Sequence, residues 1–327
     1  MPVQRRKPPH SKLVFHAAKC DKPGALNTRI LLLFAVLFLG SGCAMKHFAV
    51  NRVGDALAGS GGTFASDDDP ELIREAVPFS LKLMESMLAE SPRHRGLLLA
   101  AASGFTQYGY AFVQEDADEM EATNLAASAA LRVRARKLYL RARDYGLRGL
   151  EVNHRGFAQT LNSDPKKAVR VTTKQDVPLL YWTAAAWGSA ISVSKDKPDI
   201  VADLPKVEAM IDRALELDEK FDRGAIHTFL ISYEMARPGS KPGDAVASAR
   251  QHFDRAMELS GGQLASPLVA YAGAVCVQKQ QKAEFDRLLK QALAIDVDRK
   301  PDWRLTNLVM QRRAQWLLSR EDELFAE

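Results

Sequence analysis

Apolar residues recur at steps of three and four over almost the whole chain, the spacing that places one stripe on one face of an α-helix. The first such run is Leu72, Ile73, Ala76, Leu81, Met84, Met87 and Leu88. It is preceded by Ser66-Asp67-Asp68-Asp69-Pro70-Glu71, which has an acidic cap, a proline where the first helical amide needs no partner, and acids near the positive end of the dipole. Pro78 predicts a kink in that helix, and Ser91-Pro92 its end. A second helix is expected over about 94–113, then a polar break at 116–118 and a long Ala-, Leu- and Arg-rich helix over 119–146, with a continuation to Leu161. After a loop over 162–176, further helices are expected at about 177–193, 204–218, 222–236, 244–260, 266–279, 281–295 and 301–324. Alternating strand patterns are almost absent, and Val169 to Thr173 is the only β-like run. The chain reads as all-α.

Three helices close on related segments: Arg213-Ala214-Leu215-Glu216-Leu217-Asp218, Arg255-Ala256-Met257-Glu258-Leu259-Ser260 and Gln291-Ala292-Leu293-Ala294-Ile295-Asp296. Ser86-Met87-Leu88-Ala89-Glu90-Ser91 is an earlier cognate. Alanines 214, 256 and 292 stand 42 and 36 positions apart, near the period of about 34 of tetratricopeptide repeats, which carry a small residue where neighbouring helices approach. Phe253 and Phe285 stand where such a repeat packs a bulky side chain between helices. Stacked helical hairpins of tetratricopeptide-like, solenoid form are therefore expected, an architecture that presents a groove.

The N-terminal segment has a different pattern. Residues 1–29 carry seven basic side chains against Asp21, and the uncharged run Ile30 to Leu39 leads into Gly40-Ser41-Gly42-Cys43. Ten apolar residues are about half a membrane-spanning helix but suit the core of an export signal. Small residues directly before a cysteine resemble a bacterial lipobox. The reading is a lipoprotein signal peptide over 1–42, lipid attachment at Cys43, a flexible lipid tether over 43–68 containing Gly59-Ser60-Gly61-Gly62, and a helical body over 69–327. Acyl chains on one cysteine would hold the body at the periplasmic face of a membrane. With Ala44 and not Asp after that cysteine, the resemblance to Gram-negative lipoproteins implies the outer membrane.

This division changes the meaning of the charge. The 327 residues hold 45 Lys and Arg against 40 Asp and Glu, a formal +5 that by itself suggests an anionic partner such as nucleic acid. Segment 1–42 contributes seven positive and one negative of these, so the remaining 285 residues carry about −1, and the nucleic-acid reading lapses.

Candidate chemistry is sparse. The seven histidines are dispersed without a His-x-x-x-His or His-Glu pair on one helix face, and Cys20, Cys43 and Cys276 are too scattered for a cysteine-based zinc site or a disulfide framework. No cofactor or metal is expected. Glu85-Ser86 and Glu90-Ser91 are similar to the Glu-Ser start of all-α lytic transglycosylases, but the Gly-Leu-Met-Gln-like segment that should follow is missing. Aromatic residues are more informative. Tyr108, Tyr110 and Phe112 share one helix, Tyr139 and Tyr145 the next, and Tyr181, Trp182 and Trp187 another, where they serve either as core packing or as a cavity lining. Arg141, Arg143 and Arg304 are either solvated or positive ends for an organic acid.

Several longer motifs are distinctive: Leu180-Tyr181-Trp182-Thr183-Ala184-Ala185-Ala186-Trp187-Gly188-Ser189-Ala190-Ile191, Asp203-Leu204-Pro205, Leu138-Tyr139-Leu140-Arg141-Ala142-Arg143-Asp144-Tyr145-Gly146, His252-Phe253-Asp254-Arg255-Ala256 and Arg304-Leu305-Thr306-Asn307. Together they resemble the T-component (TatT) family of TRAP transporter accessory lipoproteins over about residues 66–325. The resemblance implies a non-catalytic, tetratricopeptide-like lipoprotein that partners a periplasmic solute-binding protein and helps to capture a small or hydrophobic organic acid. It also implies ligand or partner contact at Tyr108, Tyr145, Trp182, Trp187, Arg304 and Asn307. Homo-oligomerisation is open. The competing reading is a lipoprotein scaffold for envelope assembly with a peptide or protein in its groove.

Overall fold

The computed structural model describes residues 52–59, 61–194 and 196–325. The export signal, its lipobox and Cys43 lie outside them. Among the described residues every regular element is helical and none is a strand. No helix there is long and apolar enough to cross a membrane.

Two short helices come first, α1 (52–58) and α2 (Gly61–Ala65), in the described part of the stretch read as a tether. They form because Leu57 and Phe64 have an apolar surface to cover on the body. Helix α3 (Pro70–Glu90) starts where the caps require, Asp69 accepting from the amides of Glu71 and Leu72, and it runs on through Pro78. Helix α4 (Arg95–Gly109) passes into a wider π-helical turn, Tyr110–Gln114, and then into α5 (Glu115–Met120). The acids around 116–118, expected as a break, are thus helical. The chain reverses after Met120 instead, and Asn124 caps α6 (Leu125–Asn153) by accepting from the amide of Ala127.

Helices α7 (Phe157–Ser163) and α8 (Pro165–Val169) occupy the first part of the expected loop, and the β-like run is the end of α8 followed by a turn in which Thr172 Oγ1 donates to the Val169 carbonyl at 2.6 Å. Next come α9 (Val177–Ser192), α10 (Pro198–Val201), α11 (Leu204–Asp218), α12 (Ala225–Glu234), α13 (Pro242–Ser260), α14 (Ser266–Tyr271), a second π turn at Ala272–Cys276, α15 (Lys282–Leu293), α16 (Arg304–Ser319) and α17 (Glu321–Leu324).

Packing proceeds α3 on α4, α4 on α6, α6 on α9 and α9 on α11, with α12 on α13 and α15 on α16 further along. The alanines of the repeated segment, Ala214, Ala256 and Ala292, are all fully buried, and Phe253 and Phe285 pack inside with them. The crossing of α6 and α9 uses two glycines. A Cβ on Gly146 would stand 2.1 Å from Thr183 Oγ1, and one on Gly149 2.6 Å from a Leu179 methyl, so α6 and α9 approach only because these two positions lack a side chain. Asp176 pins the start of α9, accepting from Arg95 (2.7 Å), His154 (3.0 Å) and the Thr173 amide (2.9 Å).

The last long helix returns to the first. Helix α16 touches α2 and α3, and its guanidinium groups reach acids on α5 nearly 200 residues earlier. Arg312 binds Asp116 (2.9 Å) and Glu119 (2.7 Å), and Arg313 binds Asp118 (2.9 Å) and Glu115 (3.4 Å). This return positions the site.

Candidate functional site

Between the N-terminal helices and α16 lies a cavity of about 450 Å³, within the range of about 300–1,000 Å³ usual for small-molecule sites. Helices α1 and α2 contribute Leu57 and Phe64, α3 contributes Ile73, Leu81 and Met84, α4 contributes Leu99 and Ala100, α9 contributes Trp182, and α16 contributes Leu305, Val309 and Met310. The π turn matters because Tyr110, Ala111 and Phe112 are consecutive yet all line the wall. An extra residue in the turn, closed by the Glu115 amide on the Tyr110 carbonyl, widens the helix there. Gly104 keeps α3 close to α4, since a Cβ on it would meet Leu81 at 2.8 Å.

No charged side chain lines this wall among the described residues. Its few polar groups are largely turned back on their own helices: Ser80 donates to the Ala76 carbonyl, Ser103 to Ala100 and Gln107 to Ser103. Such a surface holds an apolar body by excluding water and supplies little polar recognition of its own.

The six residues expected as contacts separate into two groups. Tyr108 and Trp182 both line the cavity, although they come from helices 74 positions apart. The other four are elsewhere. Tyr145 stacks on Phe105 at 5.9 Å, and its hydroxyl donates to Glu85 at 2.8 Å; burial, and then that carboxylate, push its pKa up to about 12. Trp187 is buried in the next core under the cations of Arg143 (4.8 Å) and Lys206 (5.4 Å). Arg304 donates to the Ser66 carbonyl at 2.9 Å and pairs with Asp298 at 2.9 Å, tying α16 to the segment after α2. Asn307, 1 % exposed, accepts from the Ala265 amide and donates to the Gln263 carbonyl, both at 3.0 Å. Its role in this geometry is to satisfy buried backbone. Cavity residues on α1 and α2 were not among the six because their segment reads as linker. Those on α16 flank Arg304 and Asn307, and the helical period marks an apolar face there without saying what it faces.

Glu85, the residue a cell-wall hydrolase would need as its acid, is held otherwise. Burial raises its pKa, but hydrogen bonds from Lys82 and Tyr145 outweigh that and keep the carboxyl below its ordinary value. A general acid needs the opposite shift. Among the described residues no group of three His, Cys, Asp or Glu side chains is arranged to hold a metal ion.

The family model of the TRAP transporter T-component matches residues 66–325, which hold every helix from α3 to α17 and all of the cavity wall except the part from α1 and α2. The chain belongs to the TRAP transporter T-component family. It is also 30 % identical over 317 residues to an uncharacterized protein of Treponema pallidum (strain Nichols), covering 90 % of this chain and 96 % of that one. T-component membership makes the protein an accessory of a TRAP-type transport system, and the residues quoted for that resemblance are distributed through its helices rather than gathered at one site.

Proposed function

We propose that the protein is a lipid-anchored, non-catalytic T-component that holds a small, largely apolar ligand in the cavity between α3, α4, α9 and α16 and meets a periplasmic solute-binding protein of its transporter. The observation that carries the reading is the uncharged 450 Å³ cavity, closed by the return of α16, in a T-component chain. Burying apolar surface contributes about 25 cal/mol per Å², so a wall of this kind retains an apolar solute without covalent chemistry or a nucleotide. Cys43 as the lipid attachment point would keep the body at the periplasmic face of the outer membrane, where a solute-binding protein can reach it.

The test pairs the protein with the solute-binding protein encoded beside it. Co-elution at micromolar concentration, and small molecules released from the purified chain on denaturation and seen by mass spectrometry, are the expected results. Release of extended peptides instead would move the protein to envelope assembly.

A further inference from the structure

Helix α6 carries seven arginine and lysine side chains against Asp144 and Glu151, a formal +5 in a body whose total is about −1. Its cations are not spread evenly. Arg134, Lys137, Arg141 and Arg148 are all exposed, and the helical period places them in one sector of about 60°, a ridge about 21 Å long. Arg132 and Arg143, outside that sector, are paired with acids, the first with Asp118 and Glu121 and the second with Asp144. On the ridge Arg141 meets Glu85 at 3.5 Å, and Glu85 stands closer to Lys82, at 2.6 Å. Arg134, Lys137 and Arg148 have no carboxylate within ion-pair distance among the described residues. Aromatic and carbonyl contacts hold the ridge instead. Arg134 reaches the Tyr108 hydroxyl at 3.5 Å, Arg141 lies 5.3 Å over the Phe105 ring, and Arg148 lies 5.2 Å over the Tyr145 ring and donates to the Pro92 carbonyl at 3.1 Å. Such contacts fix a guanidinium without cancelling its charge.

The ridge ends where the described chain begins. Two residues after Pro92, His94 meets Asp55 of α1 at 3.3 Å, and a Cβ on Gly54 would stand 3.0 Å from the His94 ring. Arg52, at the start of α1, is nine positions after Cys43, a reach of at most about 30 Å. We propose that the α6 ridge is a docking face for an anionic phospholipid surface, and that it sets the orientation of a body anchored at Cys43. This rests on the lipid anchor proposed above and adds a second membrane contact to it. The anchor keeps the ridge close to the headgroups, and their phosphates supply the negative charge that the ridge lacks. The attraction is local, because the body as a whole is nearly neutral and salt at about 0.1 M screens charges beyond about 10 Å. No α6 side chain lines the cavity among the described residues, so a membrane on the ridge leaves the cavity wall untouched.

The probes are vesicles of phosphatidylcholine alone and of phosphatidylcholine with about one third phosphatidylglycerol. They are sedimented with the mature chain, residues 43–327, carrying Cys43→Ser, so that neither acyl chains nor the basic export signal contribute. The expected result is about a hundredfold tighter association with the anionic vesicles at about 0.1 M salt, three unpaired cations at about fivefold each. The two vesicle types should become equal at about 1 M salt, where the screening length is about 3 Å. Arg134→Gln with Lys137→Gln should weaken anionic-vesicle binding about twenty-fivefold. Lys279→Gln with Lys300→Gln removes the same charge from exposed positions in the C-terminal half and should bind as the parent does. Equal binding of both vesicles by the parent, or equal losses in the two double variants, overturns the ridge as a membrane face and leaves the anchor reading standing. If the α6 double variant instead loses co-elution with the solute-binding protein while vesicle binding is unchanged, the ridge is a protein contact and the inference is wrong. A mass for the native protein that shows no acyl chains on Cys43 removes the anchor, and this inference with it.

Discussion

The two contacts that α16 makes with the N-terminal helices are built on opposite principles. At one, around Leu305, Val309 and Met310, the facing side chains are apolar and leave a cavity. At the other, one to two turns further along the same helix, Arg312 and Arg313 meet four acids of α5 in ion pairs. Charge pairs are directional and must be matched atom for atom, because a buried charge without a partner costs several kcal/mol. Apolar walls tolerate a gap. The polar contact therefore sets where α16 sits, and the apolar contact is free to be a container.

The largest effect should come from breaking the polar contact. Arg313→Ala leaves Asp118 short of a partner and Glu115, 1 % exposed, without its cation, and should cost about 3–5 kcal/mol in urea unfolding. Arg134→Ala, a cation without an acid partner, should cost less than about 0.5 kcal/mol in the same assay. Next is Gly146→Ala, which puts a methyl 2.1 Å from Thr183 Oγ1 and must push α6 from α9; about 2–3 kcal/mol is expected, and a loss below 0.5 kcal/mol would mean the crossing yields easily.

A third pair of variants tests the container directly. Ala142→Leu adds volume to a fully buried position and should cost about 1–3 kcal/mol, whereas Ala100→Leu grows into the cavity and should cost less than about 1 kcal/mol. Equal losses would show that the cavity collapses in solution.

A further effect concerns pH. Burial, opposed by Arg313, raises the Glu115 carboxyl to about 7 from an ordinary 4.5. The folded state therefore holds this proton more tightly than the unfolded chain. The group's contribution is fully present below pH 4.5 and is lost as pH rises through 7. Glu115→Gln should match the parent near pH 4.5 and exceed it by about 3 kcal/mol at pH 8, which thermal melts across that range would register.

The helices of this protein were legible wherever their own residues carry the cause. Asp69 and Pro70 begin α3, and Ala214, Ala256 and Ala292 mark close approaches within a local pattern. Helix α5 reads as a break in the sequence because its acids look solvated until Arg312 and Arg313 are brought to them, and α1 and α2 read as linker because the surface they cover is made by other helices. Of six expected contact residues, the aromatic motifs named the two that line the cavity, Tyr108 and Trp182, but in the same terms they named Tyr145 and Trp187, which pack elsewhere.

The amino-acid order alone determined the helical class, most helix starts and the family to which the chain belongs, since capping, periodicity and motif spacing are short-range properties written in adjacent residues. Tertiary structure alone decided that the C-terminal helix returns to the first, that a cavity opens there, and that Tyr108 comes within reach of Arg134. Those outcomes depend on which faces meet, and a helical stripe specifies that a face is buried without specifying its partner.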